Sequence, residues 1–165
     1  YINVERNEFK YDVICDLYAK FSLAQSMIYC NSKKVVDDLS NKLNDNGYAV
    51  ARIHGKMTQS ERNDIMKGFR NGESRILVST DLLCRGIDIQ QVSIVINFDI
   101  PKCQHTYLHR IGRSGRWGRK GVAINFLTKY DGARLRHFEK YYESQSIDQN
   151  DHLNLFFLQH FHPYE

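Results

Sequence analysis

Residues 109–121 read HRIGRSGRWGRKG, with arginine at every third position, Arg110, Arg113, Arg116 and Arg119, and glycine keeping the same interval at 112, 115 and 118. A guanidinium offers a planar fork of N–H donors and keeps its charge at any physiological pH, so a pair of them suits a phosphate group. On a helix three residues turn the direction by roughly 300°, which puts Arg110 and Arg113 on neighbouring faces and points Arg119 away. The four therefore cannot form one helical stripe. Gly112 and Gly115 predict that a helix stops near Arg113 and that the chain swings out through Arg116. Arg113 and Arg116 can then approach one point from two backbone settings. No acidic side chain lies between Asp99 and Asp131, so the sequence shows no carboxylate near enough to neutralise the run. A disordered RNA-binding tail would share this composition, but the ordered patterns on either side, YLHRI and VAINF, argue against it.

A second half-site stands at STDLLCRGID, residues 79–88. Gly86 permits a turn, and Asp88 is a carboxylate able to accept from ribose hydroxyls or, alternatively, to cap a turn. Thr80 and Arg62 are suited to contacting a nucleic-acid backbone without reading its sequence. No G-x-x-x-x-G-K-[ST] occurs, and no acidic cluster fit to hold Mg²⁺. The chain is thus expected to lack its own triphosphate cradle and to present its arginines to ATP held by another domain.

These groups need a frame. Five β-rich runs are visible: SMIYCN (26–31), YAVARIHG (48–55), RILVSTD (75–81), SIVINFD (93–99) and GVAINFLT (121–128). Most are near-continuously apolar, as strands covered on both faces are. Helical patterns alternate with them. Ser32 is placed to cap a helix that Gly47 ends, and Thr58 and Glu61 have capping-box spacing ahead of Ile65, Met66 and Phe69. Further helices are predicted over 9–21, 104–112 and 132–142. The alternation predicts an α/β fold, a parallel sheet sandwiched by helices, in which ligands gather at the carboxyl ends of the strands. Asn31 and Ser32, His54 and Gly55, and the stretch from Ser79 to Asp88 all fall at such ends. Residues 144–165 lose the rhythm and are taken as a separate C-terminal extension.

The bulk properties fit one intracellular domain. Of 165 residues 42% are hydrophobic and 25% charged, and the net charge of +4 permits a polyanionic partner without demanding one. Cys15, Cys30, Cys84 and Cys103 form no C-x-x-C pair, so they read as small buried hydrophobes rather than zinc ligands, and no metal site is expected. No apolar run approaches membrane length.

The ordered series YCNS, HGKMTQSER, STDLLCRGID and HRIGRSGRWGRKG resembles the second, C-terminal RecA-like domain of DEAD-box RNA helicases over about residues 1–143. The nearest branch is that of translation initiation factor 4A and its exon-junction relative. The resemblance implies a P-loop-type RecA-like fold without a Walker A loop, and an RNA-stimulated ATPase whose N-terminal RecA-like domain holds ATP and Mg²⁺. It implies that Arg113 and Arg116 contact the γ-phosphate and that Asp88 meets the ribose. Arg85 and His109 would join the two domains; Arg62, Thr80, Gly86, Gly55 and Asn31 would line the path of single-stranded or short duplex RNA. A scaffold of the initiation factor 4G type is the expected protein partner, in translation initiation or mRNA processing, in the cytoplasm or nucleus. This half alone would be inactive. Departures from the family pattern are Cys84 for alanine, Trp117 for another aromatic and Gly68 for glutamate. The rival reading is a stand-alone, non-catalytic RNA- or protein-binding module.

Overall fold

The computed structural model describes residues 1–21, 23, 25–81, 92–114 and 121–144. Six parallel strands run β1 (Ile2–Asn3), β2 (Ser26–Tyr29), β3 (Val50–Ile53), β4 (Ile76–Ser79), β5 (Ile94–Asn97) and β6 (Val122–Leu127), in the sheet order β1-β6-β5-β2-β4-β3. Five of them lie within the expected runs. The sixth, β1, is two residues long and too short to leave a pattern; it is fixed by pairing Ile2 with Phe126 and Asn3 with Leu127.

Helices cover both faces, as the continuous apolar strands require. On one face α1 (Lys10–Lys20) and α2 (Lys33–Asp45) bring Ile14, Leu17, Val36, Leu39 and Leu43 onto Ile28, Val78, Ile96 and Phe126. On the other, α3 (Gln59–Arg70) sets Met66 and Phe69 against Met27, Tyr29, Leu77 and Val95. Beside it α4 (Gln104–Ile111) and α5 (Gly132–Tyr141) enclose Tyr107, Leu127, Leu135 and Phe138, with the Tyr107 and Phe138 rings stacked at 5.2 Å. Every residue of β2, β4 and β5 is buried, whereas β3, at the sheet edge, is half-exposed for most of its length. Among the described residues no helix is long and apolar enough to cross a membrane.

The helix starts are set by the predicted caps. The Ser32 hydroxyl accepts from the Val35 N–H, and Gly47, at φ +83°, takes the left-handed turn that follows α2. Thr58 and Glu61 close a full capping box: the Glu61 carboxylate accepts from the Thr58 N–H at 2.7 Å and from its hydroxyl at 2.8 Å, while the Glu61 N–H donates back at 3.3 Å. These donors, the backbone N–H first, hold the Glu61 carboxyl below its ordinary range. Its contribution is therefore fully present above the ordinary glutamate pKa and is lost as pH falls through the lowered one. We expect Thr58→Ala to cost about 1 kcal/mol, read as a Tm lower by about 2–4 °C, with Thr58→Ser close to neutral.

The cysteines divide. Cys30 is buried, and desolvation pushes its thiol well up. Cys15 is half-buried and Cys103 is exposed, contrary to the expectation that all are core residues. Cys103 occupies the N-cap of α4, where the chain is still extended and its side chain meets Thr106 instead of the core. Cys84 lies outside the described residues.

Candidate phosphate-facing site at the carboxyl edge of the sheet

The parallel strands deliver their carboxyl ends to one edge, and α4 lies across it. The organising group is Arg110. It projects from the inner face of α4, is fully buried, and sits with its guanidinium carbon 5.2 Å from the centroid of the Tyr29 ring. Its Nε donates to Asp81, just past β4. Nη1 donates to the Asp99 carbonyl at 2.6 Å and to Asn97 Oδ1 at 3.3 Å, and Nη2 to Asn31 Oδ1 at 2.8 Å. One side chain thereby ties the ends of β2, β4 and β5 to α4. The expectation that no carboxylate neutralises the arginine run fails at this position: the partner, Asp81, is 29 residues back in sequence and reaches Arg110 only through the sheet.

Further polar groups extend the frame. Lys10, itself buried, donates to Asp99 Oδ1 at 3.0 Å, and the Asn31 N–H donates to Asp99 Oδ2 at 3.0 Å. Asn97 donates to Asn125 Oδ1 at 2.8 Å, and Asn125 to the Tyr107 hydroxyl at 3.0 Å. The pairing of Asn97 with Asn125 follows from strand register. Buried polar groups satisfied this completely fix one arrangement of the elements that carry them.

Arg113 stands just beyond that frame. The helix ends at Ile111, Gly112 turns, and Arg113 is outside the helix rather than on a neighbouring helical face. Its N–H donates to the Arg110 carbonyl at 3.1 Å, its carbonyl accepts from Val92 at 2.9 Å, and Ser114 bridges to Val92. The backbone is pinned, yet the buried Arg113 Nε has no hydrogen-bond partner among the described residues. A donor withheld from water without an acceptor is costly. His109, next to Arg110 in sequence, faces solvent because adjacent helical residues point about 100° apart.

A second group forms where β3 and β4 leave the sheet. Ile53 and Ser79 are in register, so His54–Gly55 and Thr80 emerge side by side. Arg62, in the first turn of α3, folds back to donate through Nη2 to the carbonyls of Gly55 at 3.1 Å and Met57 at 2.8 Å, and its buried Nε is also without a partner among the described residues. The structure thus brings Gly55 and Arg62 into contact, with Thr80 half-buried at the adjoining strand end. His54 is buried and its Nε2 lies 3.2 Å from Asp37, a carboxylate that Arg52 approaches at 3.6 Å. Asn31 is exposed as a residue, but both ends of its amide bond within the domain, to Arg110 and to the Ile100 carbonyl at 2.8 Å. Arg85, Gly86, Asp88 and Arg116 lie outside the described residues.

The donor set at this edge is cationic and amide-like. Among the described residues no three His, Cys, Asp or Glu side chains converge on a metal position. A guanidinium such as that of Arg113 suits a phosphate oxygen, whereas a divalent cation finds no carboxylate cluster here among the described residues.

The model of the helicase conserved C-terminal domain matches residues 9–118. ATP-dependent RNA helicase FAL1 of Candida glabrata is 56% identical over 143 residues, 87% of this chain and 36% of that protein. Eukaryotic initiation factor 4A of Caenorhabditis elegans is 52% identical over 145 residues, 88% and 36% respectively. The solved C-terminal domain of the DEAD-box protein Dbp5 superposes with a TM-score of 0.82 at 37% identity, covering 92% of this chain and 89% of that one. The chain belongs to the DEAD-box helicases. It is their C-terminal, RecA-like domain, of the branch that includes initiation factor 4A, and it spans about a third of the length of the curated relatives it matches. Within this DEAD-box domain the role of Arg110 was hidden from sequence reasoning. The one signal in the chain was the pair of isolated aspartates closing two strand runs, Asp81 and Asp99, each of which needs a partner if buried.

Proposed function

We propose that this DEAD-box domain is the C-terminal half of an ATP-dependent RNA helicase. In this reading it binds RNA backbone along Gly55, Arg62 and Thr80, with Gly86 and Asn31 extending the path. It presents Arg113 and Arg116 to the γ-phosphate of ATP held, with Mg²⁺, by an N-terminal RecA-like domain. Bound ATP and Mg²⁺ supply the scissile phosphoanhydride and the counter-charge on its oxygens. Arg113 and Arg116 hold positive charge against the equatorial oxygens as the terminal phosphoryl group transfers, which is the role of an arginine finger. Asp88 accepts from the ribose, and Arg85 and His109 meet the other domain as the two halves close. A strand gripped by its backbone on both halves bends on closure, so a short duplex loses its partner strand there.

The observation that carries this reading is the Arg113 guanidinium: backbone pinned by Val92, Nε buried and without an acceptor among the described residues. S. cerevisiae Dbp5 has been solved bound to RNA and ADP BeF3, and its C-terminal domain has this fold. By analogy with initiation factor 4A, a scaffold protein of the 4G type is the proposed partner.

The test is complementation. This chain alone should turn over ATP no faster than buffer. Adding a separately purified N-terminal domain and single-stranded RNA should restore RNA-stimulated hydrolysis. Hydrolysis by the N-terminal domain that is indifferent to this chain would defeat the proposal. RNA affinity should fall steeply with salt, since backbone contacts release counterions.

A further inference from the structure

Positive charge is not confined to the arginine run. The first 99 residues are balanced, thirteen basic against thirteen acidic, so the whole excess of +4 falls after Asp99. Besides residues 110–120, it sits on α5 and the turn leading into it. Leu135 and Phe138 bury one side of α5. At about 100° per residue Arg136 and Lys140 share the opposite side, one turn apart, with His137 beside them. All three are exposed. Arg134 and Tyr141 occupy the flank towards α4, where the Tyr141 ring, 53% exposed, meets His105 at 6.1 Å. In the preceding turn Tyr130 is 78% exposed, with the Lys129 ammonium 5.0 Å from its ring centroid.

Of the nearby carboxylates, Asp131 and Glu139 are withdrawn from this face, and Glu143, exposed, lies past the end of α5. Asp131 accepts from the Thr128 N–H at 3.0 Å and its hydroxyl at 2.7 Å, and lies 3.7 Å from Arg134. Glu139 is half-buried on the far flank of the helix. A helix face that serves only solubility alternates its signs and pairs them one turn apart. Here like charges stand one turn apart, next to solvent-exposed aromatic rings. Cations interleaved with open rings match a single nucleic-acid strand, whose phosphates take the charge and whose bases stack.

We propose that the outward face of α5, with Lys129 and Tyr130, is an accessory surface for single-stranded RNA. It is separate from the edge formed by Gly55, Arg62 and Thr80. In the sheet β6, which leads into α5, is three strands from β4, a separation of about 14 Å. An oligomer can therefore lie on the first edge alone, and a strand extending beyond it can occupy both. This surface rests on the helicase reading above.

The test uses the full-length protein and labelled uridine oligomers of two lengths, one just sufficient to stimulate ATP turnover and one about three times longer. In Arg136→Glu/Lys140→Glu, affinity for the long oligomer should fall about tenfold or more. Its salt dependence should weaken by about 0.7 in slope for each phosphate that is no longer neutralised. Short-oligomer affinity and ATP turnover should match wild type. Tyr130→Ala should weaken the long oligomer at least fivefold, because a base then has no ring to stack on. Unchanged affinity for the long oligomer in both variants, or an equal loss for both lengths, would overturn the accessory surface and leave the helicase reading standing. Failure of the wild-type protein to bind either oligomer would overturn both.

Discussion

In the full-length protein, Arg113→Ala and Arg116→Ala should each lower ATP turnover by about 10³ to 10⁵, the range an arginine finger contributes to phosphoryl transfer. RNA affinity should stay within about twofold, because the proposed RNA contacts are Gly55, Arg62 and Thr80 rather than these arginines. The loss belongs in the chemical step, so it should persist at saturating ATP and RNA. Lysine at either position should restore little: an ammonium is a point charge, whereas two oxygens of one phosphoryl group are held by a planar fork. Single-turnover hydrolysis measures this without interference from product release. Turnover within tenfold of wild type in both variants would remove these arginines from the mechanism.

The second large effect is expected at Arg110, which touches no substrate in this account. Arg110→Met removes the donor shared by Asp81, Asn97, Asn31 and the Asp99 carbonyl. Breaking a buried ion pair costs about 3–5 kcal/mol. The Asp81 side chain is 41% exposed and can recover hydration, so the lower end applies. A loss of about 3 kcal/mol lowers Tm by roughly 6–12 °C in a domain of this size. Asp81→Asn keeps an oxygen for the Arg110 Nε and should cost only about 1 kcal/mol. The double variant should cost less than the two added together, since both act on one interaction. Arg110 is a positioning residue: it locks α4 against the strand ends and so sets where Arg113 stands. Arg110→Lys, which retains charge but not the fork, should remain folded and still lose turnover by about 10²-fold, the scale of an ångström of misplacement. Wild-type turnover in a folded Arg110→Lys protein would show that the frame only stabilises.

Much of the architecture could be read before any coordinates, because local signals and the global fold agree. Apolar runs such as ILVS and IVIN are continuous because both sheet faces are covered, and the caps at Ser32 and Thr58 form as spaced. What escaped was whatever depends on neighbours remote in sequence. The strand at Ile2–Asn3 exists through its pairing with β6, not through its own composition. Cys103 reads as core from its neighbours, yet the N-cap geometry turns it outward.

The arginine run shows the same limit at the site. Spacing and the glycines singled out Arg113 and Arg116 for a phosphate, and the fold adds what occupies Arg110: it is consumed by Asp81, whereas the Arg113 Nε has no acceptor among the described residues. Arg62 is divided within one side chain: Nη2 is spent on two carbonyls while Nε has no partner among the described residues. Sequence names the residue types able to do the chemistry. Burial and partnering decide which of them are free to do it.

The central claim is that this domain lends guanidinium groups to a nucleotide gripped by its partner domain. The most direct measurement is a structure of the full-length protein closed on RNA and a non-hydrolysable ATP analogue. The expected result is Arg113 and Arg116 nitrogens within about 2.7–2.9 Å of γ-phosphate oxygens, the span of a charge-assisted hydrogen bond. Both guanidiniums turned away from the terminal phosphate in that closed state would contradict it.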